Sequence, residues 1–409
     1  MKAFVVILCM LLSFSGFSQE TANVEKEKEE QSHVKSRHYP FNLSLFYPVS
    51  INRSQRDSVN INLTLIYGRV GRVSGVDLAL LATVVDREVR GVQLAGLVGV
   101  GGNRVSGLQA AGLGSVAGDR MRGLQLGGLF TVVGERGKGV QGSGIFAVVG
   151  EDMTGIQSAG IFAVTGETLK GIQSAGIFGV VGEDATGIQA AGIFCVTGER
   201  FRGFQAAAIA AIAGDELSGV QAAIVTIAPF FKGVQVGVIN ICDETNGVQI
   251  GVVNYAKNKA GTPIGMVNLS REGRIRMVAW GSNIMGLNLG VRFLVNKVYS
   301  ILSLGGINVE SDISASLSYS WHYGLRLPLG KFKINTDLGY GYVDNETFFR
   351  GREGNLDQHM LQMRGWLEWE LTEKFSIIGG LGLNYMWDYA ARLDSGAYSP
   401  LFMIGIEVL

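Results

Sequence analysis

The chain has 409 residues, enough for two domains or one large one. Its 35 basic and 35 acidic side chains cancel, so no net field selects nucleic acid or another polyanion. Glycine supplies 59 residues and proline only 6, without a Gly-X-Y period; that excludes collagen and proline-rich disorder, and with 47% apolar residues it points to tight β-turns and closely spaced backbones.

Residues 1–18 read as a secretory leader. Lys2 provides the positive start, Ala3 to Leu12 the apolar run, and Gly16-Phe17-Ser18 the small-x-small pattern before Gln19. The run is too short to cross a bilayer as a helix. Beyond it only Cys195 and Cys242 remain, too few for a disulfide framework. Residues 19–38 are charged, lack apolar periodicity and read as a disordered tether. Residues 39–68 carry two strand-like pieces, FNLSLFYPV (41–49) and VNINLTLIY (59–67). They are expected either to join a barrel or to cap a solenoid.

From residue 69 to 270 the chain repeats. Glycine recurs every sixteen residues from Gly75 to Gly219, then every fourteen at Gly233, Gly247 and Gly261. Two places after these glycines stand Gln93, Gln109, Gln125, Gln141, Gln157, Gln173, Gln189, Gln205, Gln221, Gln235 and Gln249; Asp77 and Pro263 replace glutamine in the terminal units. Sixteen residues make one turn of a flattened coil with two short strands and two corners. Stacked coils bring like residues together at about 4.8 Å, where glutamine amides form a ladder. The expected fold of this part is a β-solenoid of about thirteen coils. One large up-and-down β-barrel is the competing geometry, but it would require one turn sequence to serve both ends.

Two further columns result from the register. Phe130, Phe146, Phe162, Phe178 and Phe194 each follow an aliphatic residue. Either one column fills the core and the phenylalanines form an exposed interaction stripe, or a corner turns both inward. Asp119, Glu135, Glu151, Glu167, Glu183, Glu199 and Asp215 would stack along one edge, with Arg and Lys neighbours able to pair with them. The glycine–aspartate spacing of calcium-binding β-rolls is absent.

Over residues 271–409 the alternation changes to a period of two, as in SASLSYSWHYGLRL, FKINTDLGYGY, LQMRGWLEWEL and FSIIGGLGLNYMW. The strands are long enough to cross a bilayer when tilted, short and long connections alternate, and Tyr385, Trp387 and Tyr389 suit an interfacial girdle. Seven strands between residues 285 and 409, with 41–49 as an eighth and 59–67 as another, predict an antiparallel outer-membrane-type barrel of about eight to ten strands. Its interior would be filled by side chains, with Arg326, Lys333, Asp337, Arg364, Glu368 and Glu370 pairing inside.

No metal-ligand spacing, nucleophile elbow or phosphate loop is present. Like residues in columns are not the convergence of unlike groups that catalysis needs. No enzyme activity and no cofactor are expected. Units such as KGVQVGVIN (232–240) and NGVQIGVVN (246–254) resemble the tandem repeats of the bacterial surface-repeat-containing proteins, over roughly residues 41–270. That resemblance implies export to a Gram-negative-type surface or outer membrane, and no activity. The functional expectation is a structural or interaction scaffold in contact with outer-membrane lipid, with a protein or surface partner through the repeats. A porin-like channel and an adhesin are the alternatives.

Overall fold

The computed structural model describes residues 37–51, 57–308, 314–344, 358–388 and 396–409. The expected leader (1–18) and all but the end of the expected tether (19–38) lie outside the described residues, and His38 begins the first strand. Among the described residues the fold is all-β. The chain divides into two compact units, Met1–Gly219 and Val220–Leu409.

In the first unit β1 (His38–Phe46), β2 (Val49–Ser50), β3 (Ser58–Ala79) and β4 (Ala82–Ala95) lead into short strands, from β5 (Val98–Gly101) to β19 (Ala210–Ala213). Long and short strands alternate, and each pairs in parallel with its copy one unit later: Gly139 with Gly155, Gln141 with Gln157, Phe146 with Phe162. These are the coils of a solenoid. Parallel pairing of successive units rules out the up-and-down barrel, in which neighbours run antiparallel.

Glycine at the repeat position has a physical cause. Gly155 sits at φ +127°, and a Cβ there would lie 2.1 Å from the carbonyl oxygen of Gly139 one coil below. Only glycine tolerates both the dihedral and the contact. The core between the strands is narrow, filled by Ala147, Ala159, Ala163 and Ala175 beside the glutamines.

The N-terminal strands decide between the two arms of their expectation. β1 pairs in parallel with β3 over Phe41–Ile61 and Leu43–Leu63, so both belong to the solenoid and neither to the barrel. Their inward polar side chains explain this: Asn42 donates to Asn62, and Asn62 donates to Asp77, extending the amide column of the coils.

The second unit, after β20 (Glu216–Ala222), continues with coils at the fourteen-residue interval, comprising β21 (Val225–Ile227), β22 (Phe230–Val236), β23 (Ile239–Thr245), β24 (Val248–Lys259) and β25 (Thr262–Ser270). It ends in a closed barrel of eight strands, β26 (Arg274–Ser282), β27 (Met285–Val295), β28 (Val298–Asn308), β29 (Ser314–Leu329), β30 (Phe332–Asp344), β31 (Gln358–Thr372), β32 (Phe375–Asp388) and β33 (Ala397–Val408). The closing strand is β26, which pairs Val278 with Glu407 and Trp280 with Gly405 of β33. Its alternation is blurred because Val278 and Trp280 face inward and are apolar, so the sequence pattern alone hid it. The turns at 296–297, 330–331 and 373–374 share one end. The strand ends at Asn308 and Ser314, Asp344 and Gln358, and Asp388 and Ala397 lie at the other, with the turn at 283–284.

Candidate functional surfaces: amide ladders, apolar faces and a charged lumen

The glutamine at the third position of each repeat points into the coil, where water cannot reach it. Gln93 to Gln249 are all buried. Each amide therefore needs internal partners, and the neighbouring coil supplies one. Gln109 Nε2 donates to Gln93 Oε1 at 2.8 Å, and the pattern repeats up the first unit through Gln157 to Gln141 (3.0 Å) and Gln205 to Gln189 (2.7 Å). In the second unit Gln235 donates to Gln221 (2.9 Å) and Gln249 to Gln235 (3.1 Å).

The ladder has a direction, and Asp77 is where it ends. Gln93 Nε2 and Thr83 Oγ1 donate to one carboxylate oxygen, both at 2.9 Å, and Asn62 Nδ2 donates to the other at 2.7 Å. Donors arrive from both sides, so the meeting point must be a pure acceptor. That is why this unit carries aspartate in place of glutamine. Burial pushes the Asp77 carboxyl above its usual range, against the pull of its three donors.

In the late coils a second ladder runs the other way. Asn240 Nδ2 donates to Asn254 Oδ1 and Asn254 Nδ2 to Asn268 Oδ1, both at 2.8 Å. Asn268 then donates to Ser300 Oγ of β28 at 3.1 Å. This column was not expected from the sequence, although the asparagine that closes GVQVGVIN and GVQIGVVN marks it.

The phenylalanine column stands at the surface. Phe162 is exposed and Phe130, Phe146, Phe178 and Phe194 are half-buried, with rings stacked 5.3–5.4 Å apart for the pairs 130–146, 162–178 and 178–194. The aliphatic column beside it does not fill the core either. Ile161 N and Phe162 N both donate to Ile145 O, at 3.0 and 2.9 Å. Two successive amides converging on one carbonyl mark a bend, where side chains cease to alternate, so isoleucine and phenylalanine both face outward.

The acidic residues occupy the opposite corner. Arg136 bonds Glu151 at 3.2 Å and Arg200 bonds Asp184 at 2.7 Å. The latter holds the Asp184 carboxyl below its ordinary range. Slight desolvation and the charges of Glu151 and Glu183 raise Glu167. Among the described residues no group of three or more His, Cys, Asp or Glu is placed to hold a metal ion. Cys195 and Cys242 are free thiols, each pushed up to about 12 by burial.

The barrel reverses the ordinary distribution of polarity. Outward positions carry Met277, Leu289, Leu304, Leu338, Leu381 and Ile404, all exposed. Inward positions carry buried charge. Arg292 donates to Glu407 (2.7 Å), Glu368 (3.1 Å) and Asn335 (2.6 Å), and its guanidinium lies over the rings of Tyr299 and Trp366. Arg276 joins Glu407 at 2.9 Å. Asp337 accepts from Arg364 (2.7 Å), Trp366 (2.9 Å) and Tyr299 (2.8 Å). Of the residues expected inside, Arg326 pairs with Glu368, Lys333 lies 3.6 Å from Glu370, and Arg364 pairs with Asp337. Arg276, Arg292 and Glu407 were missed. Arg292 and Glu407 are the lone charges at the inward register positions of their strands, and Arg276 shares its inward register with Arg274 at the strand end.

Aromatic side chains gather at both ends of the barrel. Tyr385 contacts Trp387 and Tyr398 toward the long connections, and Phe332 contacts Trp369 at the short turns. Tyr389, also expected in a girdle, lies outside the described residues.

No protein-family model matches the chain, and no curated protein matches it. Among solved structures the chain is similar to the N-terminal β-barrel domain of Pseudomonas aeruginosa OprF, at 14% identity over 33% of this chain and 99% of that one, with a TM-score of 0.25.

Proposed function

We propose that the protein is a non-enzymatic outer-membrane protein in which a small lipid-embedded barrel carries a repeat solenoid serving as a structural or interaction scaffold. One observation carries this reading: the barrel wall is apolar outside and charged inside. In water that arrangement would expose a large apolar belt. In a bilayer it satisfies the wall, and strands of 9 to 16 residues are long enough to span when tilted. The like-with-like ladders support a structural role, because they offer no convergence of unlike reactive groups. We also propose that the coils belong with the bacterial surface-repeat-containing proteins, on the strength of the GVQxGxxN units.

Fractionation tests the membrane reading. The full-length protein should sediment with outer membranes and need detergent for extraction; a freely soluble monomer would sink the proposal. The filled lumen favours an anchor over a channel, since Arg276, Arg292 and Arg364 are buried within it. In planar bilayers the reconstituted protein should leave the membrane sealed, and stepwise conductance would establish the porin-like alternative instead.

A further inference from the structure

The last coil of the second unit packs on the outer wall of the barrel, clear of its lumen. Asn268 and the carbonyl oxygen of Met266 both bond Ser300 Oγ, at 3.1 and 2.9 Å. Tyr323 OH donates to Pro263 O at 3.0 Å, and Asn296 Nδ2 to Ala260 O at 2.7 Å. Ser300 and Tyr323 share the outward register of Leu304 and Leu325, which are exposed. Val295, outward on β27, is buried while Leu289 on the same face is exposed. All these contacts lie beside the two-residue turn at 296–297, at the short-turn end.

A coil fixed to that wall shares its surroundings. An aliphatic residue recurs at the first corner of every coil of the unit, as Ile224, Val238, Val252 and Met266, all exposed. Beside it the second strand presents Ile239 and Tyr255, also exposed. The charges of these coils, such as Asp243 and Glu244, sit at the opposite corner. The aliphatic column ends in a crevice of about 930 Å³ lined by Met266 together with Met277, Leu289, Leu304, Tyr319 and Tyr340 of the barrel exterior. The apolar edge of the coils and the apolar belt of the barrel are thus one continuous surface. In the first unit the same register position is Leu81, Leu97, Leu113, Leu129 and, on to Ile209, an unbroken aliphatic series.

We propose that this aliphatic edge is a lipid-contacting surface: the coils of the second unit lie with their first corner against the acyl chains of the leaflet on the short-turn side, and their charged corner faces water. The proposal rests on the barrel spanning a bilayer, because only then does the wall beside the last coil meet acyl chains. Apolar burial at an interface, with charge on the far edge, is the physics of a monotopic surface element.

The test uses residues 19–409, which omit Cys9 of the expected leader, in a Cys195→Ala, Cys242→Ala background, reconstituted into phosphatidylcholine vesicles with and without acyl-chain spin labels. Alanine fits both sites, since Ala211 and Ala256 fill the equivalent positions one coil on. An environment-sensitive dye is placed on Val252→Cys, with Val238→Cys as the second site should the first fail to assemble. Leu304→Cys reports the barrel wall and Asp243→Cys the charged corner. The dye at 252 or 238 should be quenched as strongly as at 304, and that at 243 should not. Quenching at 304 alone would overturn this inference and leave the membrane reading intact. Quenching at none would overturn both. Concentration-dependent self-quenching at 252, without quenching by lipid, would assign the edge to a second copy of the chain and also overturn the inference.

Discussion

Glutamine in this chain does what neither an apolar residue nor a charged one could do in the same place. Its amide is at once donor and acceptor, so a stack of copies satisfies itself while water is excluded. Gln157 shows how fully each amide is used: its nitrogen donates to Gln141 Oε1, Ala147 O and Val164 O, and its oxygen accepts from Gln173 and Thr165. Gln157→Ala strands several of these groups and should lower coil stability by about 1–3 kcal/mol. A reduced urea midpoint would report it, with the outward Ser158→Ala as an unchanged control. Gly155→Ala should be worse, because the strain of its positive φ adds to collision with the coil below.

Asp77 makes the pH-dependent prediction. Burial raises its carboxyl above the usual value, so protonation favours the folded coil. Its contribution to stability is fully present below the unfolded-state value of about 3.9 and is lost as pH rises through the folded-state value. Asp77→Asn removes that titration. The difference in unfolding midpoint between wild type and variant should therefore change between acid and neutral pH, and a constant difference would count against the assignment. The glutamine register was legible in the sequence, and so was the exception at Asp77. Its meaning was not, because that depends on Asn42 and Asn62 approaching from the other side.

At the scale of elements, the barrel depends on a knot of charge held in an apolar wall. Arg292 touches two carboxylates, an amide oxygen and two aromatic rings. Arg292→Ala would leave Glu407 and Glu368 with reduced compensation in a dry interior, at a cost of about 3–5 kcal/mol. The barrel should then unfold at lower temperature in the heat-modifiable gel shift typical of such folds, and Lys333→Ala at the open rim should change little. Most barrel strands were legible from their period of two. β26 was not, since apolar residues occupy both of its faces. The pieces at 41–49 and 59–67 were ambiguous between barrel and solenoid for the opposite reason: they alternate as barrel strands do, but their inward polar residues match an amide ladder. Alternation reports that a strand has two unlike faces, and it is silent on which partner covers them.

The two ends of the barrel differ in the connections they carry, and that gives the protein a sidedness. Two-residue turns at 296–297, 330–331 and 373–374 mark one end; at the other lie the turn at 283–284 and the strand ends Asn308, Asp344 and Asp388, each separated in sequence from the next strand by a longer stretch. In outer-membrane barrels short turns face the periplasm and longer loops the exterior. If the barrel spans an outer membrane as proposed, an epitope inserted between Asp344 and Gln358 should react with antibody on intact cells, and one inserted at Gly330–Lys331 only after permeabilisation. Reversal of that pattern would invert the assigned orientation.

The sequence by itself determined the period of the coils and favoured their parallel register, because one corner chemistry in every unit suits stacked coils better than the two ends of an up-and-down barrel. It also determined that the last third is made of two-faced strands. The tertiary structure decided which strand closes the barrel, where the amide ladders meet, and that the last coil docks on the outer wall. Those outcomes depend on pairings between segments far apart in the chain, such as Val278 with Glu407 and Asn268 with Ser300. A local repeat announces itself in every copy, whereas a single long-range contact recurs nowhere else along the chain.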